Sequence, residues 1–461
     1  MGFASCRISF HVPDRFGSRR KRSSSEAHGS PMSEMGEGRV RDLVDERRPG
    51  FGLGRECYAD GELFRVEMDE IWRKGWLFVG HGCEARRPGD YFTFEIDRDP
   101  IVCVRQEDGT MRAMHNVCRH RGSIVLVDER GHQARLTCPY HQWVYGLDGS
   151  LLRCQGVPEG FRKDGVGLAS IPTEEIAGLV FVCLDDRPRP IERAREDLTR
   201  GLAVQGLDRA KVAMQIDYEV KANWKLIWEN NRECFHCDVN HPQYVRANFD
   251  HYDEGDTRHK GDLAAALQRQ REGLLRCGIK DEFFGGFGLS EFPDPTGEVW
   301  WSLNRTALEE GFDTESLDGC LVSRLMGAYV DPAVGTLRVR SLPNFWCHAS
   351  CDHAVTTRLT PTGRWTTNVR VSWLVDVDAQ EGRDYDLAKL LPFWQLTSEQ
   401  DWAICERQQR GVASSVFVPG PLSPDKEGNV DRFLSWYTHA IVDALDASGE
   451  TRPQAGVVSF S

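Results

Sequence analysis

The sequence predicts an α+β protein in two domains, the first built of short strands and the second of mixed strands and helices. Short strand-like runs closed by Asp-Gly turns fill residues 90–168, and a Pro-rich stretch at Arg187-Pro188-Arg189-Pro190 interrupts them. Longer elements follow: strand runs Leu337 to Leu342 and Thr367 to Val375, and a helix from about Ser398 to Arg410. With 461 residues and 40% hydrophobic content the chain is long enough to bury a core in two or three domains.

In chain order, residues 1–48 are rich in Ser, Gly and Arg without apolar periodicity, and a disordered tail is expected. Arg19-Arg20-Lys21-Arg22-Ser23-Ser24-Ser25 has the look of a twin-arginine signal, but no apolar stretch follows it, and Met32 and Met35 are alternative starts. From Asp60 to Trp76, Leu63, Phe64, Val66, Met68, Ile71 and Trp72 recur at helical spacing. Pro100 to Gln106, turning at Asp108-Gly109, and Trp143 to Leu147, turning at Asp148-Gly149, read as strands entering hairpins. We place the first domain, with its leading helix, at 49–175 and the second at 176–461. No internal repeat is visible.

A net charge of -13 argues against a nucleic-acid partner, which needs a basic surface; an acidic face suits a basic partner protein. No run of eighteen apolar residues exists, so no membrane span is expected. Fifteen cysteines, odd in number and scattered, fit a reducing cytoplasm better than a disulfide scaffold.

Two of those cysteines belong to a pattern. Cys118-x-His120 is followed, after seventeen residues, by Cys138-x-x-His141. Two thiolates and two imidazoles on paired loops are the ligand set of a Rieske [2Fe-2S] cluster. A structural Cys2His2 zinc site uses the same four ligand types. Against zinc stand the Cys-His, Cys-His order, the loop-forming residues after each pair, which would shield a cluster from water, and the strands flanking both loops.

The runs Asn116-Val117-Cys118-Arg119-His120-Arg121-Gly122-Ser123 and Thr137-Cys138-Pro139-Tyr140-His141-Gln142-Trp143 resemble the Rieske domain of ring-hydroxylating oxygenase large (alpha) subunits. That resemblance implies a C-terminal helix-grip catalytic domain, a curved antiparallel sheet with helices, carrying one mononuclear Fe(II). The segment from Asn223 to Pro242 contains His236 and His241, five apart, with Glu233 three residues before the first. At about 100° per residue, His241 is rotated about 140° from His236, so both reach one metal only if the helix ends or bulges between them. Pro242 disfavours a helical His241 and makes such an end plausible.

Two histidines and one carboxylate form the facial triad of non-haem Fe(II) oxygenases. In the family a late-helix aspartate completes it, and the matching run is Leu396-Thr397-Ser398-Glu399-Gln400-Asp401-Trp402. Read without the resemblance, Asp401 is an acid in a first helical turn behind Thr397 or Ser398 as cap. Glu233 reads as a solvated helix residue or, by resemblance, as the acidic bridge joining His141 of one subunit to His236 or His241 of the next in a homotrimer. Cys234-x-x-Cys237 reads as packing cysteines rather than half a zinc site or a redox pair. His115, His348 and His353 read as satisfied interior or surface histidines.

A one-electron relay joined to an open Fe(II) site implies an oxygenase that activates O2. No GxGxxG follows a strand, and Gly285-Gly286-Phe287-Gly288 lacks that setting, so electrons from NAD(P)H are expected through a separate flavin reductase, itself carrying an iron-sulfur cluster. The run Glu229 to Cys237, Gly411 to Ser423 and Phe433-x-x-Trp436-Tyr437 are similar to the branch acting on choline, glycine betaine, carnitine and proline betaine. That similarity implies hydroxylation of an N-methyl carbon and collapse of the carbinolamine to demethylated amine and formaldehyde. A methylated ammonium needs aromatic faces, for which Trp300, Trp301, Phe345, Trp346 and Trp394 are candidates. The rival readings are a ring-hydroxylating dioxygenase acting on an aromatic acid and a zinc-binding regulatory protein without catalysis.

Overall fold

In the computed structural model the described residues are 34–249, 259–280 and 291–450. The twin-arginine-like run and Gly285-Gly286-Phe287-Gly288 lie outside them. The expectation of disorder through residue 48 is corrected from Glu34 onward, because Glu34–Asp45 forms helix α1. Its Val40 and Val44 are buried, and just beyond it Arg47 pairs with Asp431 and donates to Ser435 Oγ at 2.9 Å. Two valines one turn apart make too short a pattern to read from sequence, and their cover comes from the far end of the chain.

Helix α2, Gly61–Val66, begins where Asp60 Oδ1 accepts the Glu62 and Leu63 amides at 2.8 and 2.9 Å. It runs on as a π-helical turn over Glu67–Trp72, whose wider coil carries Glu67 fully into the interior. Short antiparallel strands follow. Arg130–His132, Asp90–Ile96, Asp99–Arg105, Met111–His115 and Ser170–Ile171 pair in that order, and Leu136–Thr137, Val144–Tyr145 and Leu151–Arg153 form a smaller sheet. A third sheet pairs Leu77–His81 with Leu179–Val182 and that strand with Thr173–Ile176. The last hairpin crosses the boundary expected at 175/176, so the strand pairing of the first domain runs to Val182.

The second domain is one six-stranded antiparallel sheet: β1 (Ala210–Val220), β2 (Trp301–Thr306), β3 (Thr336–Ser341), β4 (Phe345–Ala349), β5 (Ala354–Gly363) and β6 (Thr366–Asp376). Their order is β1-β6-β5-β4-β3-β2. Between β1 and β2 run α3 (Trp224–Asn231), α4 (Cys237–Asn240) and α5 (Pro242–Val245); after β6 come α6 (Pro392–Val412) and α7 (Gly428–Glu450). Asn223 caps α3 by accepting the Lys225 amide at 3.0 Å, and Trp224 through Trp228 are all buried. The first domain docks on the sheet through Leu77–His81: the Phe78 backbone exchanges hydrogen bonds with the Asn344 side-chain amide at 2.9 and 2.8 Å, and His81 Nε2 meets Thr356 Oγ1 at 3.0 Å.

Candidate metal centres and the cavity beside them

The two Rieske-like loops have one construction. The Gly122 amide bonds the Cys118 carbonyl at 2.9 Å and the Gln142 amide bonds that of Cys138 at 3.1 Å. Each loop then reverses through a left-handed residue, Gly122 at φ 72° and Gln142 at φ 57°. Both cysteines are buried and unpaired, while His120 is exposed and His141 half-buried. The imidazole centroids lie 4.6 Å apart, and His120 stacks on Trp143 at 4.7 Å. His141 Nδ1 is a buried polar atom without a hydrogen-bond partner, as a nitrogen reserved for a metal would be. Sulfurs inside and imidazoles at the tip fit a [2Fe-2S] cluster. Tyr145 is an addition to the expected set: its hydroxyl lies 3.2 Å from Cys118 Sγ and accepts the Arg119 amide at 3.1 Å. Burial and the neighbouring thiol push its pKa up, so the phenol stays available as a donor to sulfur.

The second group lies where α3 breaks. After Asn231 the helix stops, and the chain restarts at α4 with His236 as N-cap residue and His241 as C-cap residue. His241, held before Pro242 at φ -125° and ψ 65°, ends α4 and opens α5. The break expected from Pro242 is therefore present, and it brings both imidazoles to one point. Asp401 Oδ1 lies 3.2 Å from His236 Nε2 and 2.9 Å from His241 Nε2. Donors about 2.1 Å from one ion, at right angles, stand about 3 Å apart, so both distances to Asp401 suit donors that share one metal ion.

Each imidazole is oriented from behind. His241 Nδ1 meets Gln400 Oε1 at 2.8 Å, and His236 Nδ1 bonds Glu233, which leaves both Nε2 atoms aimed at Asp401. The site favours positive charge. Burial lowers the affinity of His236 for a proton, but its hydrogen bonds to Asp401 and Glu233 override that and raise its pKa to about 10. A divalent cation would take that proton's place.

Several expectations change. Asp401 is not in a first helical turn, because α6 starts at Pro392 and Thr397 Oγ1 donates to the Phe393 carbonyl at 2.8 Å instead of capping. Pro392 in the first turn is the start signal that Thr397 and Ser398 obscure. Glu233 lies outside any helix and accepts the Phe235 and His236 amides. Among the described residues, none of its hydrogen bonds reaches His120 or His141. Cys234 and Cys237 are joined as a disulfide rather than standing as two separate packing thiols. His353 is a satisfied interior histidine, 2.8 Å from Asp352, but His348 is not.

A cavity of about 70 Å³ opens beside the His236, His241 and Asp401 group. Its floor is a grid on the sheet, because β3 and β4 pair Arg338 with His348 and Arg340 with Trp346. Across the next register, β4 and β5 pair His348 with Val355 and Trp346 with Thr357. Its roof is one face of α6, where Trp394, Thr397, Ser398, Asp401 and Trp402 follow helical spacing. Of the aromatic candidates, Trp346 and Trp394 line this cavity; Trp300, Trp301 and Phe345 pack in a separate core with Phe78 and Phe181. Trp402 completes the aromatic wall, and its place beside Asp401 on α6 is the signal in the sequence that points to it.

Known proteins agree with this architecture. Residues 75–166 match the Rieske [2Fe-2S] domain and residues 207–442 match the ring hydroxylating alpha subunit (catalytic domain). The glycine betaine monooxygenase oxygenase subunit of Chromohalobacter salexigens is 38% identical over 408 residues, 88% of this chain and 89% of that protein. The subunit of the same name from Pseudomonas aeruginosa strain UCBPP-PA14 is 34% identical over 94% of this chain and 99% of that protein. Among solved structures, the quaternary ammonium Rieske monooxygenase CntA in complex with L-carnitine superposes with TM-score 0.62 at 22% identity, over 87% of this chain and 98% of that one. Naphthalene 1,2-dioxygenase from Rhodococcus sp. gives 0.60 at 18% identity, over 89% of this chain and 99% of that one, a likeness of fold. Two metal-fitting groups, one per domain, and matches along both domains lead to one conclusion: the chain belongs to the family of Rieske non-haem iron oxygenase alpha subunits, oxidoreductases with a [2Fe-2S] cluster and a mononuclear catalytic iron.

Proposed function

We propose that the chain is the oxygenase component that hydroxylates an N-methyl carbon of a compact quaternary ammonium substrate, glycine betaine or proline betaine. One observation carries this: Trp346, Trp394 and Trp402 wall the same small cavity that His236, His241 and Asp401 line. A methylated ammonium cannot donate hydrogen bonds and is held by ring faces. A volume of about 70 Å³ is well under the roughly 300–1,000 Å³ of pockets for drug-sized ligands, which favours a small aliphatic substrate over a fused arene. The glycine betaine oxygenase subunits, similar over nearly the whole chain, support the same reading.

In this assignment Cys118, His120, Cys138 and His141 hold the cluster, and His236, His241 and Asp401 hold the iron. Bound there, iron supplies the activation of O2, with electrons relayed singly from the cluster. The overall change balances as one N-methyl group, O2, two electrons and two protons giving an N-hydroxymethyl group and water. The C–N bond then breaks, releasing formaldehyde, a proton and the demethylated amine. The chain's own residues hold the ammonium against the faces of Trp346 and Trp402, at the cavity's metal end, and fix the two imidazoles through Gln400 and Glu233.

Glu233 is the bridge between centres, and its partner His141 belongs to a neighbouring subunit of a homotrimer. Exposed apolar side chains flank both ends of that bridge, Tyr140 at 55% beside His141 and Val239 at 83% on α4, surfaces suited to burial between subunits. A quaternary ammonium Rieske monooxygenase of similar fold is known for inter-subunit electron transfer, which supports the same arrangement. Electrons come from NAD(P)H through a separate flavin and iron-sulfur reductase, in keeping with relatives named as oxygenase subunits. Among the described residues no helix is long and apolar enough to cross a membrane. Twelve described cysteines are unpaired, which supports a cytoplasmic setting.

The test is formaldehyde release from glycine betaine and proline betaine by iron-loaded protein with a flavin reductase, NADH and O2. Stoichiometric formaldehyde is expected. Diol formation from an aromatic acid with no formaldehyde from any methylammonium compound would overturn the proposal, and a purified protein holding zinc alone would exclude catalysis of this kind.

A further inference from the structure

The cavity has two electrically different ends. At one, Trp394 packs on His348 with ring centroids 4.2 Å apart, and Tyr244 lies 6.0 Å from Trp394 and beneath the Arg338 guanidinium at 5.8 Å. The register puts Arg338 directly across from His348 and Arg340 across from Trp346, so two buried guanidiniums stand on the same floor. Both are oriented by other groups, Arg338 by Asn248 Oδ1 at 2.9 Å and Glu315 at 3.9 Å, Arg340 by Asn304 Oδ1 at 3.2 Å. At the other end, about two turns along α6, lie Asp401 and the Nε2 atoms of both metal-site histidines.

Two ring nitrogens at the arginine end are left over. Trp394 Nε1 and His348 Nδ1 are buried and have no hydrogen-bond partner, and both residues are 7% exposed. An indole N–H can only donate, and a neutral imidazole with its proton on Nδ1 donates there too. Burial first, then Arg338 and Arg340, hold the pKa of His348 well below the usual histidine value, so the ring is neutral and feels a positive field. Two stranded donors in a positive field call for an anion with two acceptor oxygens.

Resting on the methylated-ammonium reading above, we propose that the cavity binds its substrate as a zwitterion in one orientation. The carboxylate is hydrogen-bonded by His348 Nδ1 and Trp394 Nε1 in the field of Arg338 and Arg340, and the methylated nitrogen is turned toward His236, His241 and Asp401. A carboxylate of this kind explains why a methyl group, rather than the backbone methylene, is presented to the metal-site histidines. It also sets specificity: choline carries the same trimethylammonium group but no carboxylate for His348 Nδ1 and Trp394 Nε1, so it leaves both donors unmet and binds more weakly. His348 and Trp394 are positioning residues, acting on the end of the substrate that does not react.

The test uses the iron-loaded protein with glycine betaine and choline, measuring Kd by calorimetry and KM and kcat by formaldehyde release. The wild type is expected to bind glycine betaine at least about 10-fold more tightly than choline. Trp394→Phe, which removes the N–H and keeps an aromatic face, and His348→Phe should each raise Kd and KM for glycine betaine about 10-fold or more, in line with loss of a hydrogen bond to a charged group. Binding of choline should change less than about 3-fold, which narrows the preference, while unchanged cluster absorbance and iron content report an intact site. Equal losses for both ligands, no change for either, or a wild type that does not discriminate would overturn the proposal while leaving N-demethylation standing. A wild type that binds and turns over no methylammonium compound would overturn the functional reading and this inference together.

Discussion

Lys225→Met tests how the helix leading to the metal site is anchored. Lys225 and Glu67 form an ion pair with side chains 0% and 1% exposed. The Glu67 carboxylate also accepts Trp224 Nε1 at 2.8 Å and the Tyr437 hydroxyl at 2.6 Å, while the ammonium lies 4.9 Å from the Tyr437 ring and 5.3 Å from that of Trp224. One knot thus ties the π-helical turn, α3 and α7. Methionine fills the volume of lysine but leaves the Glu67 carboxyl buried without its cation, beside two neutral donors, and breaking a buried pair this way costs about 3–5 kcal/mol. Glu67→Gln should cost a similar amount by stranding the ammonium. The double variant removes both charges, so it should recover to within about 1 kcal/mol of the wild type, not fall by the sum of the two. Urea unfolding of the iron-loaded protein, followed by tryptophan fluorescence, measures all four corners of the cycle. A Lys225→Met protein within about 1 kcal/mol of wild type, or an additive double variant, would show that the pair is not the anchor.

Other expectations concern the two centres and one titrating group. Asp401→Ala should lose the mononuclear iron and all turnover while cluster absorbance persists, and Cys118→Ser should lose the cluster while metal binding at His236 and His241 persists; iron analysis with electron paramagnetic resonance distinguishes the two. Glu233→Gln should keep both metals yet slow single-turnover re-oxidation of the cluster at least about 10-fold, and wild-type rates would exclude the bridging role. Burial raises the Glu229 pKa from 4.5 to about 7, against the pull of the Tyr58 hydroxyl and Lys225. The native state therefore keeps a proton that the unfolded chain has released. The contribution of Glu229 to stability is full below about pH 4.5 and falls away as pH rises through 7, by roughly 3 kcal/mol at 1.36 kcal/mol per pH unit. The stability of wild type relative to Glu229→Gln should decline by that order between pH 5 and 8; a flat difference would refute the shifted titration.

The parts legible in the sequence are those whose chemistry is local. Cys118-x-His120 and Cys138-x-x-His141 sit on loops closed by their own amides, and the break at His241 follows from Pro242 alone. Residues brought in from a distance are harder. Asp401 needs a family resemblance, because no local rule relates it to a histidine 160 residues away. Its helix begins earlier than expected because Thr397 and Ser398 look like caps and draw attention from Pro392. Helix α1 escapes notice because it packs on α7 at the far end of the sequence, and the hairpin to Val182 is cut by the expected boundary because its partner strand lies a hundred residues upstream. The aromatic wall shows the same limit: five candidates have equal composition arguments, and only sheet register and helical phase separate Trp346 and Trp394 from Trp300, Trp301 and Phe345.

That floor of paired strands has a consequence for how such a protein can diversify. The proposed iron donors flank α4 on either side or lie on α6, while Arg338, Arg340, Trp346, His348, Val355 and Thr357 come from the middle of a sheet whose backbone is hydrogen-bonded on both sides. A side chain exchanged on that floor changes what the cavity welcomes without disturbing where oxygen chemistry is set up. Six positions on three adjacent strands are thus a compact library for redirecting the protein to new substrates, and drift at the same positions is a short mutational path by which one ancestral scaffold could come to serve unrelated nutrients.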